Sequence, residues 1–175
     1  MTSRLSYDKS CGVLQSQRLI EDGTIPPLPQ RPPRHDDEVL GVSFFRTLLD
    51  SAKLEHLTLP RTYFGRSEIR ASSFQDSDFS ESTANWNDFL DVNFNSAHLS
   101  RCDFRSCVFQ NVNFCGTQLT DADFRHCSFT NCDFTDADLT NTKFTKAATA
   151  SLKFSASQQQ TIAWQANDGE EPEGG

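Results

Sequence analysis

The residues best suited to do chemistry are four histidines, six cysteines and two tryptophans. Their spacing decides what they can do. His35, His56, His98 and His126 lie far apart, and no zinc-finger pattern of paired cysteines and histidines appears. Asp123 and His126 are close enough to act together, but no Ser or Cys nucleophile with an orienting partner joins them. The cysteines form no C-x-x-C pair, and the glycines never cluster into a phosphate loop. No catalytic group, no metal site and no cofactor are expected, so the protein should not be an enzyme. The cysteine spacing is informative in another way. Cys102 and Cys107 differ by five, as do Cys127 and Cys132, while Cys107 and Cys127 differ by 20. That is the signature of a repeating frame.

The frame runs from Phe44 to Phe154. Every fifth residue from Phe44 to Phe144 is large and apolar, with Ala84 the exception among 21 positions. Of the 15 Phe, only Phe45 lies out of phase. A second register, two residues earlier, holds small side chains such as Ala97, Cys102, Cys107, Val112, Thr117 and Ala122. In a helix a step of five turns the chain by about 500° and draws no stripe; in a straight strand an odd step changes faces. Five closes only as a short extended piece followed by a turn. Four such corners make a square coil of four repeats, in which each inward residue meets its equivalent one coil on. Phe74, Phe94, Phe114 and Phe134 should form one internal column, Phe104 and Phe124 part of a second, and Leu119 and Leu139 part of a third.

Ala122-Asp123-Phe124-Arg125-His126, Cys132-Asp133-Phe134-Thr135-Asp136 and Ala137-Asp138-Leu139-Thr140-Asn141 resemble the repeat of the pentapeptide-repeat family, loosely A(D/N)Lxx with Phe as the common variant of Leu. The resemblance implies an all-β solenoid, a right-handed quadrilateral β-helix. It spans about 100 of the 175 residues.

Residues 1–38 show no periodicity and carry a Pro-rich centre, Ile25 to Arg34, which reads as a disordered, extended arm. The β-helix should occupy residues 39–154, with residues 39–52 readable either as its first coil or as a helix; the unbroken register favours the coil. Ser155-Ala156-Ser157-Gln158 is a capping-box signature, so 155–166 should form a short capping helix packed through Ile162 and Trp164. Residues 167–175 (NDGEEPEGG) read as an acidic disordered tail.

The chain has a net charge of −8 and no apolar run approaching a transmembrane span, so a cytoplasmic protein without a membrane role is expected. The inward cysteines are expected to act as small hydrophobes. One wall should carry Arg46, Arg66, Arg105, Arg125 and Lys146, interleaved with Asp103 and Asp123. The other walls are acidic. No basic stripe with aromatic platforms stands out, so direct nucleic-acid binding is not expected.

The one interior defect lies at Ala84–Asp88. Ala84 interrupts a column, Asn87 puts an amide at an inward position, and Trp86 falls outward. Either the coil relaxes around the gap, or Trp86 is a contact residue on a surface with Asp88 and Asp91. Asp76, Asp78 and Glu81 extend the acidic candidate surface. A perfect solenoid presents repeating walls, so a non-catalytic protein-interaction scaffold, monomeric or weakly dimeric, is the first functional reading. The resemblance implies another. Family members that mimic DNA bind gyrase and protect it from quinolones or toxins. Residues 54–144 hold 13 acidic and 7 basic residues, against roughly 13 phosphates on B-DNA of the same length, so any mimic is at about half strength. A bacterial effector or immunity protein is a third.

Overall fold

A computed structural model describes residues 42–166, together with two short strands, Tyr7–Asp8 (β1) and Val13–Leu14 (β2), paired antiparallel. The rest of the arm and the acidic tail lie outside the described residues.

From Val42 the chain winds as a parallel β-solenoid. Its three-residue strands are Ser43–Phe45 (β3), Leu48–Asp50 (β4), Tyr63–Gly65 (β5), Glu68–Arg70 (β6), Asp88–Leu90 (β7), Val108–Gln110 (β8), Ser128–Thr130 (β9) and Lys143–Thr145 (β10). Every pairing among them is parallel, with partners one coil apart, as Ser43↔Tyr63, Leu49↔Ile69 and Phe109↔Phe129 show. Single-residue bridges carry the ladder where no three-residue strand forms, for instance Ser73↔Asn93↔Asn113↔Asp133 and Asp78↔His98↔Gln118↔Asp138. The result is four walls, each with one inward column. Residues 42–52 belong to the first coil and form no helix.

The central Phe and Leu fill the interior. Phe74, Phe94, Phe114 and Phe134 stack with centroid separations of 4.9, 5.3 and 4.6 Å, and Phe154 closes their column at 5.7 Å, tilted. Phe104 and Phe124 stack at 4.9 Å, and Leu119 and Leu139 are buried. Rings from adjacent columns meet edge to face, as Phe114 and Phe124 do at 5.8 Å. Both geometries suit the aromatic quadrupole.

The small inward residues do more than make room. Ser67 donates to the Phe44 carbonyl at 2.9 Å, Thr117 to Phe94 at 2.8 Å, Cys127 to Phe104 at 2.9 Å and Thr142 to Leu119 at 2.8 Å. Each bond ties a side chain to the central carbonyl of the coil before. Buried carbonyls left without a partner cost stability, and this ladder satisfies them. The cysteines are therefore weak donors as well as hydrophobes. No disulfide joins them among the described residues, and burial pushes the Cys102 and Cys127 thiols up to about 12.

Each corner needs one residue in the left-handed region. Nineteen non-glycine residues, spaced by multiples of five from Arg46 to Asn141, have φ between 46° and 61°, and Gly116 fills the one gap in the series at 62°. For L residues this costs on the order of 1 kcal/mol each. Backbone bonding offsets it: the N–H of Arg46, Asp76, Trp86 and Gly116 each reaches a carbonyl of the next coil at 2.9–3.1 Å.

After Phe144 the coil gives way to a 3-10 turn, Lys146–Thr149, with Thr149 at the place of a central residue. The capping helix is shorter than expected. It spans Ala156–Thr161 (α1), and Ala163–Gln165 is instead a strand (β11) paired with β10. The exposed edge of β10 needs partners for its backbone groups. β-branched Thr161 and Ile162 stop the helix, and the chain crosses to supply them. The capping box forms as expected: Ser155 Oγ accepts from Gln158 N, and Gln158 Oε1 from Ser155 N. The Gln158 amide also donates to the carbonyls of Phe134 and Ala137 at 2.8 and 3.0 Å, replacing the donor a further coil would have supplied. Ile162 is buried, and Trp164 packs on Phe144 and Phe154.

Candidate functional site

The inward column of the first wall runs Phe44, Phe64, Ala84, Phe104, Phe124, Phe144. At Ala84 the neighbouring rings close most of the space. Phe64 tilts onto Phe79 at 5.8 Å, and a cavity of about 10 Å³ remains, lined by Phe64, Phe79, Ala84, Phe89 and Phe104 among others. That is at the limit of what one water needs, and the lining is apolar. Asn87 sits fully inside without penalty. Its Nδ2 donates to the Phe64 carbonyl at 2.8 Å and its Oδ1 accepts from Ser67 N at 2.7 Å, so both ends of the amide are used in the ladder. Cys107 donates to the Ala84 carbonyl at 2.9 Å and completes the rung above.

Trp86 does not turn inward to fill the gap. It stands at a corner, φ 61°, and is 62% exposed. It forms one side of an open groove of about 200 Å³, with Asn85, Arg105, Ser106, Arg125 and His126. Asp88 and Asp91 belong to the adjoining second wall, in and just after β7, and do not line this groove. The other acidic candidates lie elsewhere. Asp76 and Asp78 are on the third and fourth walls, with Asp76 3.8 Å from His56. Glu81 is held between Arg61 and Arg101, whose hydrogen bonds keep its carboxyl below the usual range. The six sequence candidates are thus spread round the coil.

The first wall carries the expected arginines and, beside them, exposed aromatic residues that the register of five does not announce. Its outward columns place Phe45, Tyr63 and Trp86 together with Arg46, Arg66, Arg105, Arg125, Lys143 and Lys146. The bridges Ser43↔Tyr63↔Thr83↔Asp103↔Asp123↔Lys143 fix this register. Among the described residues, three of the four exposed large apolar side chains are here, Phe45 at 50%, Tyr63 at 39% and Trp86 at 62%. The Tyr63 ring lies across Gly65, where any side chain would collide with it, and stacks on Phe45 at 6.2 Å. The Arg46 guanidinium sits 5.3 Å from the Phe45 ring centroid. A basic stripe with aromatic platforms does exist. Its cations are expected from the register, but its aromatic members are not, because Phe45 is out of phase and Tyr63 and Trp86 come from other coils and meet it only through the winding.

Two carboxylates interrupt it. Arg105 and Arg125 fork onto Asp103 and Asp123, with contacts of 2.7–3.1 Å. Burial pushes both carboxyls up, but the arginine bonds outweigh it and hold them below the usual range. The wall has six basic and two acidic side chains, net +4, and the other three walls together have five basic and 12 acidic, net −7. Among the described residues, no group of three His, Cys, Asp or Glu is placed to hold a metal, and no helix is long and apolar enough to cross a membrane. His56, His98 and His126 fall on three different walls.

The fold and the ladder define a class, the four-walled parallel β-solenoid with five-residue rungs. A family model for the pentapeptide repeat region matches residues 77–154. Over those residues the chain is similar to pentapeptide-repeat proteins, and its four-walled coil is the fold they share. HetL, a pentapeptide repeat protein involved in heterocyst differentiation regulation in the cyanobacterium Nostoc sp. strain PCC 7120, superposes at TM-score 0.55 with 16% identity, over 57% of this chain and 48% of HetL. The chain therefore spans about half of HetL. Rfr23 from the cyanobacterium Cyanothece 51142 superposes at 0.52 with 15% identity, over 58% of this chain and 71% of that one. A trypsin-treated form of QnrB1, a plasmid-mediated fluoroquinolone resistance protein, aligns at 0.40 with 11% identity over 72% and 82%. No protein of curated function matches the sequence.

Proposed function

We propose that this protein is a non-catalytic scaffold that binds a protein partner through its first wall, with Trp86 as the anchor. The observation that supports this most is the exposure of Trp86, 62%, at the one interior break in the columns between Phe44 and Phe144. Repeating walls offer no unique register to a partner; a large aromatic beside a groove does. Exposed Trp is favoured at interface hot spots, and guanidinium groups beside it add directional donors. Purified full-length protein and its Trp86→Ala variant, immobilised in parallel, test the reading. The partner should be retained by the first and lose at least about 2 kcal/mol of binding with the second, at unchanged melting temperature. A partner held equally by both would remove Trp86 from the interface.

The net −7 of the other three walls favours a second reading, a DNA mimic that binds gyrase and protects it from quinolones or toxins. Titration against gyrase supercoiling, with and without a quinolone, decides it. Protection that survives Trp86→Ala but is lost with Asp88→Asn and Asp91→Asn would place binding on the acidic walls.

A further inference from the structure

We infer that the first wall takes an acidic segment of a partner protein, laid along the stacked coils across Trp86. This rests on the scaffold reading above and adds the chemistry of what binds. The charge of the molecule is sorted laterally. A chain with 24 acidic and 16 basic residues still presents one wall at net +4, and the walls beside it are negative. An approaching acidic segment is attracted on one side and repelled on the others, so the field orients it before contact.

The wall is amphipathic along its length. Phe45, Tyr63 and Trp86 occupy the first three coils, and Lys143 and Lys146 the last. Arg46 and Arg66 stand at the corners of the aromatic half, in the same column as Trp86 and His126. Six coils at the strand spacing make a track of roughly 25 Å, enough for about eight extended residues. Aromatic faces take apolar side chains of the segment, and the flanking cations take its carboxylates.

Nucleic acid would need the same cations but fits the wall poorly. Asp103 and Asp123 sit in its centre, and their folded state holds them ionised. A duplex carries one phosphate per about 1.7 Å, so it could not avoid these carboxylates or the acidic flanking walls. A peptide with a few carboxylates can place them between the obstacles.

The test uses the full chain and a fluorescein-labelled peptide of about twelve residues, half Glu or Asp with Leu between, at low and near-physiological salt. Two charge reversals of equal size are compared, Arg66→Glu with Lys143→Glu on the first wall, and Lys53→Glu with Lys153→Glu on the third. All four residues are exposed, so folding is checked by melting curves alone. The first pair should weaken peptide binding about tenfold or more and flatten its salt dependence, and the second should leave it within about twofold. Equal losses would mean that net charge alone drives binding, and would overturn the proposal. So would tighter binding of an oligothymidylate of matching charge, which would make the wall a nucleic-acid surface. Peptide binding seen only after Asp168→Asn, Glu170→Gln, Glu171→Gln and Glu173→Gln would assign the wall to the chain's own acidic tail instead. No binding in any variant overturns the acidic assignment alone, because loss of a partner with Trp86→Ala is read separately.

Discussion

The third-wall column, Phe74 to Phe134, and the first-wall column, Phe44 to Phe144, are built to the same plan and differ at one residue. The first repeats without interruption, and the wall outside it is polar, a row of Ser73, Asn93, Asn113 and Asp133. The second is broken by Ala84, and the wall outside it carries Phe45, Tyr63 and Trp86. An unbroken column gives stability and sameness. A broken one costs a few contacts and leaves the exterior with a place that differs from every other.

The largest expected effect breaks the regular column. Phe114→Ala removes a ring stacked on both sides, and neighbours held by their own rungs cannot collapse into the space. The loss should be about 3–5 kcal/mol in denaturant unfolding. The same substitution at Phe154, tilted at the end of the column, should cost clearly less.

The second effect sharpens the contrast at the defect. Asn87→Ala leaves the Phe64 carbonyl and the Ser67 N–H without partners inside the solenoid. A loss of about 1–3 kcal/mol is expected, although the change is from a polar to an apolar buried residue. A gain in stability would mean that Asn87 is a tolerated flaw and not a rung.

That rung also marks how far the sequence could be read. The period of five set the coil, the columns and the inward cysteines, because each depends on residues within one register. Asn87 looked like a defect, since its partners are backbone groups of Ser67 and Phe64, a full coil back, and no side-chain type announces them. The left-handed corners were illegible for a related reason: Arg46, His56, Trp86 and His126 occupy them beside the expected Asp, Asn and Ser, so no residue type marks the position. The Arg-rich wall was visible as charge, but Phe45 was out of phase and Tyr63 belongs to no column. The capping box marks where the helix starts but nothing as plain marks its end; Ile162 and Trp164, two residues apart, share a face only in an extended chain, and the edge of β10 takes that chain as a strand.

A third effect is alkaline. The buried Cys102 and Cys127 thiols titrate at about 12 in the folded chain, whereas in the unfolded chain they ionise at about 8.5. The stability they lend is complete below the unfolded value and is lost as pH rises toward the folded one. Melting temperature should fall between about pH 8.5 and 11, and Cys102→Ala with Cys127→Ala should reduce that slope. On the acid side the sign reverses. Asp103, Asp123 and Glu81 are held low, so their contribution persists above the ordinary carboxylate range and fades as pH falls through their folded values.

The smallest effect on stability is expected at the most prominent residue. Trp86→Ala removes an exposed ring and keeps the same corner, so unfolding should shift by no more than about 0.5 kcal/mol. A larger loss would show that the ring packs on the wall as structure.

Trp86 stands outside the broken first column, on the one wall whose net charge is positive. Fluorescence quenching of the Trp164→Phe protein measures both features at once, because Trp86 is then the only indole. The emission should be that of a solvent-exposed Trp, and iodide should quench it more strongly than caesium once each is referred to its quenching of free N-acetyltryptophanamide, although the chain as a whole carries −8. A blue emission resistant to both ions, or preferential quenching by caesium, would contradict the account.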